Sequence, residues 1–184
     1  MERRGLFTLF GAGLLGLLTS APADASVALA VSLGDLVAKS SSVLVVTAVA
    51  KHSSWQTIGG TKRIVTDTRV RVDELVSGID PSTTELVVRT LGGVVGNVGQ
   101  IVEGSAELTL GEQSLTFVTQ LTPDLFGVTA MGQGHYPIMS EARGRILRSN
   151  RQLPAFVGNK TSAVETLRGR LVSESFALVR AARR

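Results

Sequence analysis

Few side chains in this sequence are of the types that carry out acid–base or metal chemistry. There are two histidines, His52 and His135, and no cysteine. A zinc-protease helix needs two histidines one turn apart with a glutamate between them, and neither histidine here has such a companion. The missing cysteine excludes thiolate zinc sites, disulfides and a cysteine nucleophile. The sequence therefore predicts no metal site, no cofactor and no catalytic constellation.

Two further motif classes are also missing. No G-x-S-x-G nucleophile elbow occurs. Gly99 and Gly104 have the spacing of a phosphate-binding loop, but Ser105 and Ala106 follow where that loop needs lysine and a hydroxyl residue. The fold could bring several carboxylates together, so a small hydrolase whose active site forms only in the folded chain remains an alternative. These carboxylates are Asp67, Asp73, Glu74, Glu103, Glu107 and Glu112.

The candidate binding residues lie in and around a glycine-rich stretch at 92–104. Valine and isoleucine alternate with the glycines there, so we expect a compact loop that packs its apolar side chains beneath itself. Function would then depend on the exposed shape of the loop and on the side chains nearest to it. A tryptophan in a polar segment is either a binding anchor or a lid on the core. The candidates are Gly93, Gly96, Gly99, Trp55, His135 and Tyr136.

The first 25 residues have the features of an export signal. Arg3 and Arg4 precede an apolar run at 6–18, and the small-x-small pattern Ala23-Asp24-Ala25 follows it. The run is too short to span a bilayer, which needs about 20 apolar residues. We expect cleavage after Ala25 and export to the periplasm or the medium; an uncleaved interfacial anchor is the alternative. No later stretch predicts a membrane helix.

Short β-type runs separated by turn residues fill the middle of the chain. Residues 63–76 alternate with period two, which predicts a long, half-exposed strand. Ser32 and Asp35 predict the start of a short helix at 33–39. Residues 51–61 are polar and predict a loop or the tip of a hairpin, with Gly59-Gly60 as the turn. The other predicted strands lie at 43–49, 85–91, 106–110, 114–119, 126–131 and 135–138.

Charge divides the chain into an acidic body and a basic tail. Residues 26–142 carry 7 Lys or Arg and 11 Asp or Glu, whereas residues 143–184 carry 10 and 2. We predict a β-barrel domain at 26–142, a basic connector at 143–160 and an amphipathic helix at 161–184. Ser162 and Glu165 predict a capping box at its start. The basic helix either docks on the acidic body or offers a surface to an acidic partner or anionic lipid.

The order of these segments resembles small secreted bacterial proteins built on the netrin or tissue-inhibitor-of-metalloproteinases type of barrel. The resemblance covers about residues 33–138 and implies a mainly β fold: a small barrel of the oligomer-binding (OB) type with six or seven strands. A short N-terminal helix and a longer C-terminal helix complete it. The segments that carry the resemblance are 36–46, 68–78, 87–93, 111–112 and 115–118.

The zinc-chelating mechanism of the animal inhibitors does not carry over. Those proteins use an N-terminal cysteine, whereas the mature chain predicted here begins at Ser26 and contains no cysteine. We expect an exported, non-enzymatic domain that binds another envelope or secreted protein, with a regulator or partner of a secreted protease as the alternative. The acidic barrel and its few aromatic residues argue against nucleic acid, which such barrels bind through basic, aromatic grooves.

Overall fold

The computed structural model describes residues 27–151, 153–158 and 161–183. The predicted signal peptide lies outside these residues. The fold is mainly β, with 52% of the described residues in strands and 18% in helices, which confirms the predicted class. The α-helices are α1 (Leu33–Lys39), α2 (Ala163–Leu167) and α3 (Val172–Ala182), and a 3-10 helix spans Met131–Gly134. The strands are β1 (Val27–Leu29), β2 (Ser42–Ile58), β3 (Thr61–Ser77), β4 (Glu85–Leu91), β5 (Gly93–Val95), β6 (Val98–Gln100), β7 (Gln113–Thr122), β8 (Leu125–Val128), β9 (His135–Glu141), β10 (Gly144–Leu147) and β11 (Ala155–Val157).

Five of the strands close into a barrel. The seven-stranded sheet has the order β10-β9-β7-β2-β3-β4-β8, and an additional pairing of β7 with β8 joins its ends into a ring. All neighbours in the ring are antiparallel except β4 and β8, which are parallel. A closed five-stranded barrel of this kind is the OB type that the sequence predicts. Six or seven strands were expected in the barrel, and seven belong to the whole sheet, of which five form the ring. Strands β9 and β10 extend the sheet beyond β7. The end strand of this sheet, β10, therefore lies within the segment predicted as a basic connector.

Strands β2 and β3 form a long hairpin that reaches beyond the barrel. Of the two alternatives for residues 51–61, the hairpin tip is correct and the loop is wrong, because β2 continues to Ile58 and pairs residue by residue with β3, with Trp55 opposite Ile64. Gly59 and Gly60 have φ of +56° and +78°, as a two-residue type I′ turn requires. Irregularities in the β2–β3 register bend the strand. Pairing with β3 therefore overrides the polar composition of the β2 end.

The segment between β6 and β7 is less regular than predicted. The strand expected at 106–110 does not form, and its only pairing is a bridge from Leu110 to Ala48. Ala106 and Leu108 are nevertheless buried in the barrel core. The segment thus covers the end of the barrel with side chains while its backbone stays irregular.

The C-terminal region contains two helices where a single helix was predicted. The capping box of Ser162 and Glu165 forms at the start of α2 as expected. Gly169 then takes a left-handed conformation with φ of +78° and separates α2 from α3. Its N–H donates to the carbonyl of Leu147 at 2.8 Å, and Leu147 N–H donates to the carbonyl of Arg170 at 2.9 Å. The break therefore holds the chain against β10.

Two apolar cores stabilise the molecule. One fills the barrel and includes Leu44, Val70 and Phe126. The other lies between the sheet and the helices, where Leu167 and Val179 are fully buried. The terminal helices therefore dock on the sheet, which fits the first of the two alternatives for the basic tail. Within the described residues, no helix has the length and apolar character that crossing a membrane requires.

Candidate functional site

The glycine-rich stretch folds as a small hairpin rather than as a closed loop. Strands β5 and β6 pair antiparallel, with Gly93 opposite Gln100 and Val95 opposite Val98. Gly96 occupies the turn with φ of +60°, a conformation that glycine adopts without strain. We call residues 93–101 the glycine hairpin, because the sequence places its glycines at the turn and on both strands.

Hydrogen bonds hold the glycine hairpin against the β2–β3 hairpin. Ile64 N–H donates to the side-chain oxygen of Gln100 at 2.6 Å, and Gly92 N–H donates to the Ile64 carbonyl at 2.9 Å. Thr66 Oγ1 donates to the Gly92 carbonyl at 2.7 Å and contacts Ser53 Oγ at 2.9 Å. These bonds fix the hairpin in one orientation, so any surface that it carries is preorganised.

Gly93 is required by packing. A Cβ at this position would lie 2.3 Å from Thr66 Oγ1 and 2.6 Å from Ser53 Oγ, and its φ is +134°. Gly96 and Gly99 are exposed, with no side-chain or backbone atom closer than 3.8 Å to an added Cβ. Of the three predicted binding glycines, Gly93 therefore supports the hairpin from beneath, while Gly96 and Gly99 lie on its outer surface.

The apolar residues of the glycine hairpin face solvent, contrary to the prediction that they pack beneath it. Val94 is 65% exposed, Val98 49% and Ile101 87%. The backbone approaches β2 and β3 closely through Gly92 and Gly93. Because side chains alternate along a strand, Val94 and Ile101 lie on one face of the hairpin, and Val98 lies on the other face, opposite the half-buried Val95. The sequence pattern gave no direct sign of this orientation, because apolar residues in a loop are ordinarily expected to be buried.

A groove of about 600 Å³ lies between the glycine hairpin, residues 105–108 and the β2–β3 hairpin. Hydroxyl groups of Ser53, Thr66 and Ser105 lie along it, and they bond to one another or to the backbone. Lys51 and Glu107 are the charged residues of the lining. The groove is therefore lined partly by apolar side chains and partly by hydroxyl groups that already have hydrogen-bond partners within the protein. It also contains one positive and one negative side chain.

Trp55 lies in β2, on the part of the hairpin that projects from the barrel. It is 39% exposed, and Lys62 Nζ lies 5.2 Å from the centroid of its ring. A cation over an indole face is a favourable contact, and it leaves the rest of the ring accessible. Trp55 is thus a surface aromatic on a strand, with its backbone set by pairing to Ile64.

His135 and Tyr136 are buried, so they are not surface candidates. His135 is 2% exposed, and burial, together with the positive charge of Lys51, lowers its pKa from 6.5 to about 4. Tyr136 is fully buried, with its ring edge against Phe117 at 6.0 Å, and burial raises the pKa of its hydroxyl. Within the described residues the Tyr136 hydroxyl has no hydrogen-bond partner. Tyr136 therefore belongs to the packing between sheet and helices, whereas His135, which lies on the opposite face of β9, has its Nδ1 3.5 Å from Asn150 Nδ2.

Several of the carboxylates considered for a hydrolase site form ion pairs with arginines. Asp67 accepts two hydrogen bonds from Arg89 at 2.7 Å, and Glu74 pairs with Arg145 at 2.6 Å. Burial tends to raise the pKa of Asp73, but hydrogen bonds from Thr47, Gln113 and Arg71 outweigh it and lower the pKa overall. Asp73 is therefore stabilised as an anion, the opposite of what a general acid requires.

A second groove, of about 490 Å³, does bring carboxylates together. Asp80, Glu85 and Asp124 line it, with Arg69 nearby and Phe126 in the lining. The backbone and hydroxyl of Ser82 both donate to Asp80, and these bonds lower the pKa of its carboxyl. Within the described ranges, no cluster of three or more His, Asp or Glu side chains is arranged to hold a metal ion.

Sequence reasoning missed the exposed apolar residues of the glycine hairpin and the position of Lys51. Val94, Val98 and Ile101 were assigned to the interior of a loop, and Lys51 was assigned to a loop rather than to a groove. A scan against protein-family models and a search of curated proteins both found no match.

Proposed function

We propose that this chain is an exported, non-enzymatic domain that binds another envelope or secreted protein through the glycine hairpin. The observation that carries the proposal is the exposure of Val94, Val98 and Ile101 in one hydrogen-bonded hairpin, where Val94 and Ile101 share the face that lines the groove and Val98 lies on the other face. Contiguous exposed apolar side chains mark protein–protein interaction sites, and single scattered ones do not. A hairpin already held in place loses little conformational entropy when a partner binds.

The groove beside the hairpin adds a polar component to the same surface. Lys51 and Glu107 lie in its lining, so a partner side chain entering it could form a hydrogen bond or ion pair at the rim. Protein interfaces commonly combine an apolar centre with a polar rim of this kind. An enzymatic reading finds less support, because His135 is buried and the pKa of Asp80 and of Asp73 is lowered.

The test is capture of a partner from envelope extract in low salt, with the exported chain as bait. We expect a stoichiometric partner with the natural chain, and loss of that partner when Val98→Ser and Ile101→Ser are combined. The matched control combines Leu110→Ser and Leu121→Ser, which remove two apolar side chains of 53% and 54% exposure elsewhere. An empty capture, or equal loss from both double variants, would contradict the proposal.

A further inference from the structure

The break between α2 and α3 gathers arginines that a continuous helix would separate. Because Gly169 and Arg170 bond to Leu147 in β10, the turn between the helices lies beside the β9–β10 hairpin. Arg143 Nη2 donates to the Gly169 carbonyl at 3.2 Å, which places this side chain between the two segments. We call Arg143, Arg148, Arg168 and Arg170 the arginine face.

The positive charge of this face is poorly compensated. Arg143 and Arg148 share a single carboxylate, Glu141. Arg170 donates to the Thr166 carbonyl, which carries no net charge, and Arg168 is exposed. Within the described residues, Glu141 is the one carboxylate within ion-pair distance of these four arginines. Like charges held together without counterions raise the local potential and attract an anionic partner.

The shape of the face favours a membrane surface over an acidic peptide. The arginines lie at two turns, and neither of the two grooves described above is lined by them. A peptide binds in a groove or along an open strand edge, and the outer edge of β10 is already bonded to residues 169–171. A bilayer needs only an accessible surface that carries positive charge. Met139 lies in the same hairpin, opposite Ile146, and is 52% exposed, so an apolar side chain accompanies the charges.

We propose that the arginine face binds the phosphate headgroups of an anionic membrane surface. Guanidinium groups donate paired hydrogen bonds to phosphate oxygens, which suits arginine better than lysine for this contact. The flexible Met139 side chain can enter the boundary between headgroups and acyl chains. This inference does not depend on the glycine hairpin or on the identity of any protein partner.

The test is sedimentation of the exported chain with vesicles at low salt. Vesicles of phosphatidylcholine containing phosphatidylglycerol should bind the chain, and vesicles of phosphatidylcholine alone should bind it much less. Binding should weaken as salt is raised, because exposed charges are screened within about 10 Å at 0.1 M. Each basic residue near an anionic membrane contributes about 1 kcal/mol, or about 5-fold in partitioning. The combined variant Arg143→Gln, Arg168→Gln and Arg170→Gln should therefore partition roughly 100-fold more weakly.

The matched control combines Lys39→Gln, Lys62→Gln and Arg69→Gln, three exposed positions outside the arginine face. It removes the same net charge, so it should keep most of the vesicle binding if the face itself is the site. Both variants should retain the far-ultraviolet circular dichroism and melting temperature of the natural chain. Equal losses in the two variants, or equal binding to neutral and anionic vesicles, would overturn the proposal. Binding to polyglutamate but not to anionic vesicles would overturn it in favour of an acidic protein partner.

Discussion

His135 shows how burial at a single residue links stability to pH. Its folded pKa of about 4 lies below the ordinary 6.5, because burial and Lys51 disfavour the charged ring. The neutral ring therefore contributes stability above pH 6.5, and that contribution is lost as pH falls towards 4. The full change in the free energy of unfolding is about 3 kcal/mol, since each pKa unit corresponds to about 1.4 kcal/mol.

We expect His135→Gln to flatten the decline of the unfolding free energy between pH 6.5 and 4, because glutamine does not titrate. Urea unfolding at several pH values measures this slope. His52 lies on the surface, so His52→Gln should leave the slope unchanged. A slope that stays the same in His135→Gln would show that the buried ring is not the source of the pH dependence.

Substitutions at Gly93 and Gly96 distinguish the cost of a steric clash from the cost of backbone strain within one hairpin. An alanine at either position adopts a positive φ, which costs about 1–2 kcal/mol. At Gly93 the new Cβ also meets Thr66 and Ser53, whereas the space around Gly96 is open. We expect Gly93→Ala to lower the free energy of unfolding by roughly 3 kcal/mol and Gly96→Ala by about 1 kcal/mol. Chemical denaturation measures both, and equal effects would contradict the close approach at Gly93.

The elements differ in how far local sequence specifies them. Residues 63–76 alternate well, so β3 was predictable, and Ser32 with Asp35 marked the start of α1. The β2 end was not predictable, because its polar residues form a strand only through pairing with β3. Gly169 was treated as a weak position inside a helix; its left-handed conformation depends on bonds to β10, which lie far away in sequence. The same limit applies to His135, whose surroundings include Asn150 and Lys51, residues that lie far from it in sequence.

The C-terminal helices carry core residues, so they are integral to the fold. Leu167 in α2 is fully buried in the cluster between sheet and helices. Leu167→Ala should lower the free energy of unfolding by about 2–5 kcal/mol, the usual cost of a large cavity. Glu174→Ala, at an exposed position of α3, is the control and should change it by less than about 0.5 kcal/mol. Thermal unfolding distinguishes the two; an unchanged midpoint for Leu167→Ala would mean that the helices form a free arm.

At the scale of the whole molecule, the two proposed surfaces lie on different parts of the sheet. The glycine hairpin rests on β2 and β3, while the arginine face begins at β10, and β9 and β7 lie between them in the strand order. Changes at sites with no shared contacts are usually additive. The two surfaces should therefore act independently, and a chain bound to a membrane through its arginines would still present the hairpin to a protein partner.

If the two surfaces act independently, a variant of each surface should lose one kind of binding and keep the other. The combined variant Val98→Ser and Ile101→Ser should lose partner capture and keep binding to phosphatidylglycerol vesicles, and the triple arginine variant should do the reverse. Vesicles loaded with the natural chain should retain the captured partner in the pellet, whereas bare vesicles should not. Co-sedimentation measures all of these quantities. If the hairpin variant also released the chain from vesicles, the hairpin would itself be a membrane contact, and the assignment of a protein partner to it would fail.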